Sequence, residues 1–341
     1  MTADFVAIDI GSAFAGDPGA RRAVAAKISQ ACETIGFLVI EGHDLPGALI
    51  DRAFTETRAF FDLPRWEKDR FQPTTPGLQR GYQAYESRNL ASTTGEKAPP
   101  DLRETLFLGP VDDHRDHFAH IPEAAGIYAP NILPDRPGGI DQTLVELYRR
   151  FERTSARLLE LFALSLDLPE SHFADKIDRH FNILGCHHYP PQPRAPLPGQ
   201  LRAGAHTDFG AVTLLAVNDA PGGLEVQLAD GTWLPIRPRP GQLIVNLGDM
   251  MARWTNDRWR STLHRVVNPA YTGLVDVHRQ SIAYFLHPNY DAEIACIPSC
   301  LAPDETATYP PITAGEHIAL KIAKSHDGAA RSVLLEDSAE V

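Results

Sequence analysis

The first half of the chain contains three segments that predict helices. They cover residues 18–35, 46–61 (with a further turn or two after Pro64) and 140–166. In 140–166 apolar side chains recur every three or four positions, which predicts an amphipathic helix that buttresses a core. Pro18 near the start of the first helix and Gly36 just past its end are typical of helix ends. Short apolar runs at 5–10 and 37–40 predict strands, so this half of the chain mixes helix with strand.

The pattern changes after about residue 180, where short apolar runs are separated by dipeptides such as Pro-Gly, Gly-Gly and Asp-Gly. This spacing predicts an antiparallel sandwich or barrel. The proline-rich segment 190–204 predicts a surface loop, and a short helical tail is predicted near 314–325. The sequence therefore predicts an α+β fold with a mainly β core in its second half.

Composition narrows the class of protein without naming a function. The 341 residues include 32 Lys and Arg against 44 Asp and Glu, a net charge of −12, which argues against a nucleic-acid binder. The N-terminus lacks the basic and apolar regions of a signal peptide, and no apolar run approaches the ~18 residues of a membrane span. We therefore expect a cytoplasmic protein without a membrane partner.

The four cysteines are few and irregularly spaced, which fits a reducing compartment and no disulfide scaffold. Cys296 and Cys300 have the spacing of half a zinc site. No second pair follows them, so structural cysteines are the preferred interpretation.

The tripeptide His206-Thr207-Asp208 lies in AGAHTDFGAVTLL, and His264 lies in the strand-like run STLHRVV. Residues two apart on a strand point to the same face, so the imidazole of His206 and the carboxylate of Asp208 can aim at one point. Two histidines and one carboxylate form the facial triad of non-haem Fe(II) oxygenases, which leaves three iron positions open. These three residues are therefore a candidate iron site.

A second His-x-Asp occurs at His114-Arg115-Asp116, which shows how readily so short a motif arises by chance. It lies in the polar run DDHRDHFAH, which has no strand character. Its histidines are therefore predicted to be surface residues: His114, His117 and His120.

Fifteen residues past His264, the run RQSIAYF opens with Arg279 and Ser281. The two share one strand face, where a guanidinium fork and a hydroxyl suit a carboxylate ligand. Taken alone, the pattern also fits a surface arginine paired with Asp276. Tyr189, in HHYPP, offers a phenol to a second carboxylate, and its alternative is a core tyrosine before the Pro-Pro turn.

Together these runs resemble the isopenicillin-N-synthase-like branch of the Fe(II)/2-oxoglutarate-dependent dioxygenases. The likeness rests on AHTDFG, on GGLEVQLADGTWLPIRPRPGQLIVNLGDMMARWTNDRWRSTLHRVVNP and on RQSIAYFLHPN. The N-terminal half is similar to the leading region of that branch in ETIGFLVIEGH and FTETRAFFDLPRWEKDRF. The resemblance covers about residues 5–325, and the combination of His-Thr-Asp, the distal histidine and Arg-x-Ser is specific to it.

The resemblance implies a double-stranded β-helix, or jelly roll, framed by N-terminal and C-terminal helices. Where many plant relatives carry asparagine this chain has His187, and strand alternation puts His187 and His188 on opposite faces. The residues that the resemblance implies as iron ligands are His206, Asp208 and His264, and those that it implies to bind 2-oxoglutarate are Arg279, Ser281 and Tyr189.

The implied activity couples oxidative decarboxylation of 2-oxoglutarate by O₂, which forms succinate and CO₂, to hydroxylation of a small organic substrate, or to its desaturation or cyclisation. Two alternatives stay open. Some members of this branch are Fe(II) oxidases that carry Arg-x-Ser and do not use 2-oxoglutarate. A jelly roll can also be a non-catalytic small-molecule binding protein. The expected assembly is a monomer or a weak homo-oligomer.

Strand alternation and one long loop supply candidate substrate contacts. If Arg279 and Ser281 face a cavity, Phe285 faces it too, as a pocket wall or as an ordinary core aromatic. Residues 72–100, rich in Gly, Pro, Thr, Gln and Ser, predict either a lid over the site or a solvated loop. The candidate contacts in this segment are Arg80, Tyr82 and Arg88, of which the arginines suit an anionic substrate.

We divide the chain into four parts within one compact unit. These are a leading region (1–130), a buttressing helix (131–180), a dioxygenase core (181–292) and a C-terminal tail (293–341) that holds the last helix.

Overall fold

A computed structural model describes residues 5–15, 17–75, 78–192, 194–271 and 277–323. Its α-helices are α1 (Pro18–Thr34), α2 (Gly47–Phe61), α3 (Arg65–Asp69), α4 (Ile140–Ser165), α5 (Asp249–Trp254) and α6, which is described over residues 314–323. The helices predicted at 18–35, 46–61 and 140–166 are confirmed to within one residue at each end, and the predicted helical tail begins at residue 314.

The strands follow the predicted change of pattern. They are β1 (Ile8–Asp9), β2 (Phe37–Glu41), β3 (Gly81–Gln83), β4 (Glu104–Leu108), β5 (Ile183–Tyr189), β6 (Ala203–His206), β7 (Val212–Val217), β8 (Gly223–Gln227), β9 (Trp233–Pro235), β10 (Leu243–Leu247), β11 (His264–Val267), β12 (Arg279–Leu286), β13 (Glu293–Ile294) and β14 (Ile312–Thr313). The strand predicted at 5–10 has only two residues, and the loop predicted at 190–204 ends where β6 begins, at Ala203.

The boundary between α1 and β2 shows why these elements stop where they do. Asp17 caps α1 by accepting a hydrogen bond from the backbone N–H of Gly19 at 2.8 Å, ahead of Pro18 at the first helical position. Gly36 ends the helix with a φ of +69°, and a Cβ there would lie 2.0 Å from the carbonyl oxygen of Arg260. Only glycine fits this reversal, which turns the chain into the sheet.

Two sheets form the β core. The larger has the strand order β1-β2-β10-β7-β12-β5-β4-β3, and the smaller has the order β6-β11-β8-β9. Neighbouring strands are antiparallel in both sheets, except for the parallel pair β1 and β2. The predicted antiparallel, β-rich second half is therefore confirmed.

Apolar side chains cover both faces of the larger sheet. Its outer face packs against the helices, where Leu147 and Phe151 of α4 join the main hydrophobic cluster. Its inner face meets the smaller sheet in a second cluster, which contains Phe37 and Ile244 from one sheet and Val226 from the other. Strand alternation therefore decides whether a side chain faces the helices or the space between the sheets.

Strand β12 shows this alternation directly. The side-chain amide of Gln280 donates to the carbonyl oxygen of Phe54 and to the hydroxyl of Thr57, both on α2 and both at 3.1 Å, so Gln280 lies on the outer face. Its neighbours Arg279 and Ser281 therefore lie on the inner face. The prediction that these two side chains share a strand face is confirmed.

The N-terminal segment and the second half of the chain share one sheet. Strand β2 pairs with β10, and β4 pairs with β5. The four-part division at residues 130, 180 and 292 stays a prediction, and one sheet runs across it. Within the described residues, no helix is both long and apolar enough to cross a membrane.

Candidate active site

The pairing of β6 with β11 brings two distant histidines together. His206 and His264 are directly paired across these strands, and their ring centroids are 4.3 Å apart. Asp208 places its Oδ1 3.9 Å from Nε2 of each histidine. One ligand atom from each residue lies within 4.8 Å of the others, a spacing that fits a single metal ion. The structure thus unites the three residues that the sequence predicted as ligands.

Backbone carbonyls set the orientation of both rings. Nδ1 of His206 lies 2.7 Å from the carbonyl oxygen of Gly204, and Nδ1 of His264 lies 3.0 Å from that of Thr262. A carbonyl oxygen only accepts, so Nδ1 donates its proton in each ring and Nε2 is the nitrogen left to face a metal. This is the arrangement that metal-binding histidines adopt.

Two side-chain donors orient the Asp208 carboxylate. Its Oδ2 accepts hydrogen bonds from the hydroxyl of Thr213 at 2.6 Å and from the amide of Asn246 at 2.7 Å. Thr213 and Asn246 are directly paired on β7 and β10. With Oδ2 occupied, Oδ1 is the oxygen that remains for a metal.

Electrostatics suit a divalent cation at this point. Burial and the neighbouring His264 lower the pKa of His206 to about 3, so its imidazole is neutral at pH 7. Burial acts to raise the pKa of Asp208, but the two histidines and the bonds from Thr213 and Asn246 outweigh it and hold the pKa below its usual value. An ionised carboxylate between two imidazoles is the donor set that Fe(II) sites of this type use.

A buried arginine faces the same space. Arg279 is 3% exposed, and its guanidinium carbon lies 4.9 Å from the ring centroid of Tyr189, its direct partner on β5. Its Nη1 is buried and has no hydrogen-bond partner within the described residues, and burial lowers the pKa of this guanidinium. An unpaired buried charge is costly, and a carboxylate would satisfy it. The donors present therefore fit an acidic cosubstrate.

Comparisons with known proteins identify the family. Residues 180–288 match the model of the 2OG-Fe(II) oxygenase superfamily, and residues 7–136 match that of the non-haem dioxygenase in morphine synthesis N-terminal. The chain is 33% identical over 306 residues to the 2-oxoglutarate-Fe(II) type oxidoreductase hxnY of Emericella nidulans. The aligned region covers 89% of this chain and 85% of that protein. The chain belongs to the 2OG-Fe(II) oxygenase superfamily.

Two further matches support this identification of the oxygenase. It is 35% identical over 301 residues to the proline hydroxylase buaE of Petromyces alliaceus, covering 86% of this chain and 90% of the relative. Its structure is similar to the crystal structure of a full-length Neurospora crassa protein in complex with alpha-KG, with a TM-score of 0.79, 29% identity and 96% coverage of both chains.

Family membership confirms the predicted chemistry. The oxygenase is a Fe(II)- and 2-oxoglutarate-dependent dioxygenase that uses Fe(II), 2-oxoglutarate and O₂. Its relatives carry the names of 2-oxoglutarate-Fe(II) oxidoreductases, and alpha-KG is bound in a similar structure. The 2-oxoglutarate-independent oxidase and the non-catalytic binding protein are therefore set aside.

The structure corrects two predicted substrate contacts of the oxygenase. Arg80 is 2% exposed, and its guanidinium donates to the carbonyl oxygens of Gln79, Ile127 and Ala129. Tyr82 is buried on the outer face, where its hydroxyl donates to Glu104 at 2.6 Å. Both side chains stabilise the fold, because their polar groups are already bonded within it.

The other two predicted substrate contacts remain available. Phe285 lies on the inner face of β12, and its ring centroid is 6.4 Å from that of His187. Arg88 is half-buried. Residues 76–77 of the segment predicted as a lid lie outside the described residues. Ala91 of this segment packs against β6, because a Cβ at Gly204 would lie only 2.8 Å from the backbone nitrogen of Ala91. Closure of this segment stays a prediction.

Sequence reasoning missed the strand that forms one wall of the site. Thr105 and Phe107 lie on the inner face of β4, where the Thr105 hydroxyl is 3.0 Å from Nδ1 of His187 and the Phe107 ring is 6.0 Å from the imidazole. Burial first, and then Arg103, Arg279 and His206, lowers the pKa of His187. The run ETLFL could have predicted this strand, because it contains residues that favour strands and follows a segment rich in turn residues.

Two secondary predictions about histidines are confirmed. His187 and His188 face opposite sides of β5, since His188 bonds to Glu104 on the outer face. The His114-Arg115-Asp116 tripeptide lies at the surface, where Arg115 pairs with Asp113. All four cysteines are free.

Proposed function

We propose that Nε2 of His206, Oδ1 of Asp208 and Nε2 of His264 bind the Fe(II) of this oxygenase. One observation carries the assignment: these three atoms converge, while the other polar atom of each side chain is already bonded to the protein. A metal held by these three atoms would remain accessible to the cosubstrate and O₂.

We infer that Arg279 and Ser281 hold the distal carboxylate of 2-oxoglutarate and that Tyr189 also contacts this cosubstrate. The support is the unpaired Nη1 of Arg279, the position of Ser281 on the same strand face, and the direct pairing of Arg279 with Tyr189. A charge-assisted bond in this buried place is stronger than in water. The guanidinium would thus hold one end of 2-oxoglutarate while the other end of 2-oxoglutarate reaches the metal.

Bound Fe(II), 2-oxoglutarate and O₂ supply an oxidative decarboxylation to succinate and CO₂ that oxidises the substrate. The protein residues orient the reactants and exclude water from the site. Asp208 provides one negative charge, and Phe37 packs its ring edge-on against His264 at 5.4 Å between centroids. Phe285 is proposed as a wall for a small organic substrate, whose oxidation is a hydroxylation, a desaturation or a cyclisation.

We also infer a double-stranded β-helix, supported by two antiparallel sheets that share an apolar cluster and are framed by helices at both ends of the chain. The free cysteines fit the predicted cytoplasmic location, and the charge of −12 fits the predicted lack of a nucleic-acid partner. A monomer or weak homo-oligomer, without a membrane partner, stays a prediction.

Anaerobic titration of the metal-free protein with Fe(II) and then 2-oxoglutarate tests the residue assignments. Wild type is expected to develop the weak visible charge-transfer band of the chelate. His264→Ala should lose the band, and Arg279→Ala should need far more 2-oxoglutarate to reach it. His114→Ala, which changes a histidine outside the site, is the matched control. A full band in His264→Ala would overturn the ligand assignment.

A further inference from the structure

Arg103 lies one residue before β4, and strand alternation places its side chain on the same side of the sheet as the proposed iron ligands. Glu104 bonds to His188 on the outer face, whereas Thr105 bonds to His187 on the inner face. By the same alternation Arg103 shares the inner face with Thr105. Burial first, and then charges that include Arg103, lowers the pKa of His187 and of His206, which agrees with this placement.

The neighbouring acid ties this arginine to the metal-binding strand. Asp101 lies 3.6 Å from Nε of Arg103, and its Oδ1 accepts the backbone N–H of Gly204 at 2.9 Å. Gly204 in turn holds the ring of His206 through its carbonyl oxygen. Asp101 therefore places Arg103 close to the strand that ends in a proposed iron ligand.

Positive charge exceeds negative charge at this point. The Asp101 carboxylate already accepts backbone bonds from Gly204 and Leu90, and its contact with Arg103 is longer than a hydrogen bond. Arg88 is half-buried, and burial together with Arg103 lowers its pKa. Within the described residues neither guanidinium donates a hydrogen bond, and the side chain of Arg103 is only 12% exposed. The backbone carbonyl oxygen of Arg88 accepts the backbone N–H of Asp101 at 2.7 Å, so Arg88 and Arg103 both lie beside one carboxylate that is already bonded.

We propose that Arg103 and Arg88 form a carboxylate subsite, and that the substrate of this oxygenase is a small monocarboxylic acid. Two guanidinium charges less the Asp101 charge leave one positive charge, which a single carboxylate neutralises. The planar fork of arginine matches a planar carboxylate.

The apolar remainder of the acid has a place to bind. Phe107 and Phe285 flank His187 on the inner face, with ring centroids 6.0 and 6.4 Å from the imidazole. Phe107 lies on β4, the strand that Arg103 precedes, and Phe285 lies on β12, the strand that carries Arg279. The acid would therefore bind with its carboxylate at Arg103 and its apolar body along Phe107 and Phe285. This inference rests on the proposed metal and cosubstrate sites.

Paramagnetic relaxation tests the subsite without relying on turnover. The protein is loaded with Mn(II) and saturating 2-oxoglutarate, and the proton relaxation of three monocarboxylates (acetate, benzoate, phenylacetate) is compared with that of their primary amides. A proton held near Mn(II) relaxes faster. We expect enhancement for at least one acid and little for its amide. Arg103→Gln should weaken the acid's apparent binding by about tenfold or more, the range of a lost charged hydrogen bond.

The controls separate this inference from the proposed function. Arg103→Lys should retain part of the binding, and Arg194→Gln, which removes an exposed arginine, should retain all of it. If the protons of 2-oxoglutarate relax but no acid does, the carboxylate subsite is overturned and the metal site stands. If 2-oxoglutarate fails to relax in wild type, the proposed metal and cosubstrate sites fail first. Equal binding of acid and amide, or loss of 2-oxoglutarate binding in Arg103→Gln, also overturns the subsite.

Discussion

Thr213 is the residue that most directly sets the direction of the Asp208 carboxylate. Its hydroxyl and the amide of Asn246 both bind Oδ2, which turns Oδ1 toward the two histidines. Such outer hydrogen bonds tune a metal site because they hold a flexible ligand in its binding rotamer.

Thr213→Val removes this donor and keeps the shape of the side chain. Metal affinity is expected to fall by roughly 10–100-fold, the range found for lost outer hydrogen bonds to ligands. Calorimetric titration with Mn(II) measures the change, and Thr232→Val, at an exposed turn, is the control. Unchanged affinity in Thr213→Val would show that Asn246 alone orients the carboxylate.

At the scale of elements, a buried polar cluster joins α3 to the outer face of β4 and β5. Glu104 is its centre: Oε2 accepts from Nζ of Lys68 at 2.7 Å and from the hydroxyl of Tyr82 at 2.6 Å, and Oε1 lies 2.8 Å from Nδ1 of His188. The Glu104 side chain is 5% exposed. Burial acts to raise the pKa of Glu104, but these three bonds outweigh it and hold the pKa below its usual value.

Glu104→Gln should lower the free energy of unfolding by about 3–5 kcal/mol at pH 7, because it leaves buried Lys68 without its counter-charge. A carboxyl group whose folded pKa is lowered stabilises the fold above its unfolded pKa, and this stabilisation is lost as pH falls through the folded pKa. The difference in the free energy of unfolding between the variant and the wild type should therefore shrink as the pH is lowered below about 4.5.

Urea denaturation across this pH range measures both effects. Glu146→Gln, which removes an exposed partner of Arg52, is the matched control and should cost below ~1 kcal/mol. A Glu104→Gln penalty that stays constant with pH would contradict the assigned ionisation.

For the whole molecule, the shared sheet makes the two halves of the chain interdependent. Strands β2 and β4 come from the N-terminal half and cover the edges of β10 and β5. A fragment of residues 181–292 would expose both edges and the apolar outer face that the helices cover. Unpaired edges and apolar surface promote association between chains.

We therefore expect the isolated fragment 181–292 to aggregate or to lack cooperative unfolding, whereas the full chain unfolds as one unit. Sedimentation and urea titration of both proteins measure this. A monomeric fragment with a cooperative transition would instead support residues 181–292 as an independent domain.

The sequence by itself determined the features that depend on local spacing. The period of apolar residues in 140–166 located α4 to within one residue, because a helix repeats over neighbouring positions. The two-residue period of strands placed Arg279 and Ser281 on one face of β12, whereas Asp208 lies two residues past the end of β6 and approaches His206 from the loop that follows that strand. Residues two apart within one strand share a face wherever the strand is placed.

Only the tertiary structure decided which separate strands meet and which face they turn inward. The register of β6 on β11 joins His264 to His206, and the position of β4 beside β5 brings Arg103 to the site. The same placement turned Tyr82 to the outer face, against the expectation from sequence. Such contacts join residues far apart in the chain, and long-range pairing is set by burial and register across the whole sheet, which no local pattern encodes.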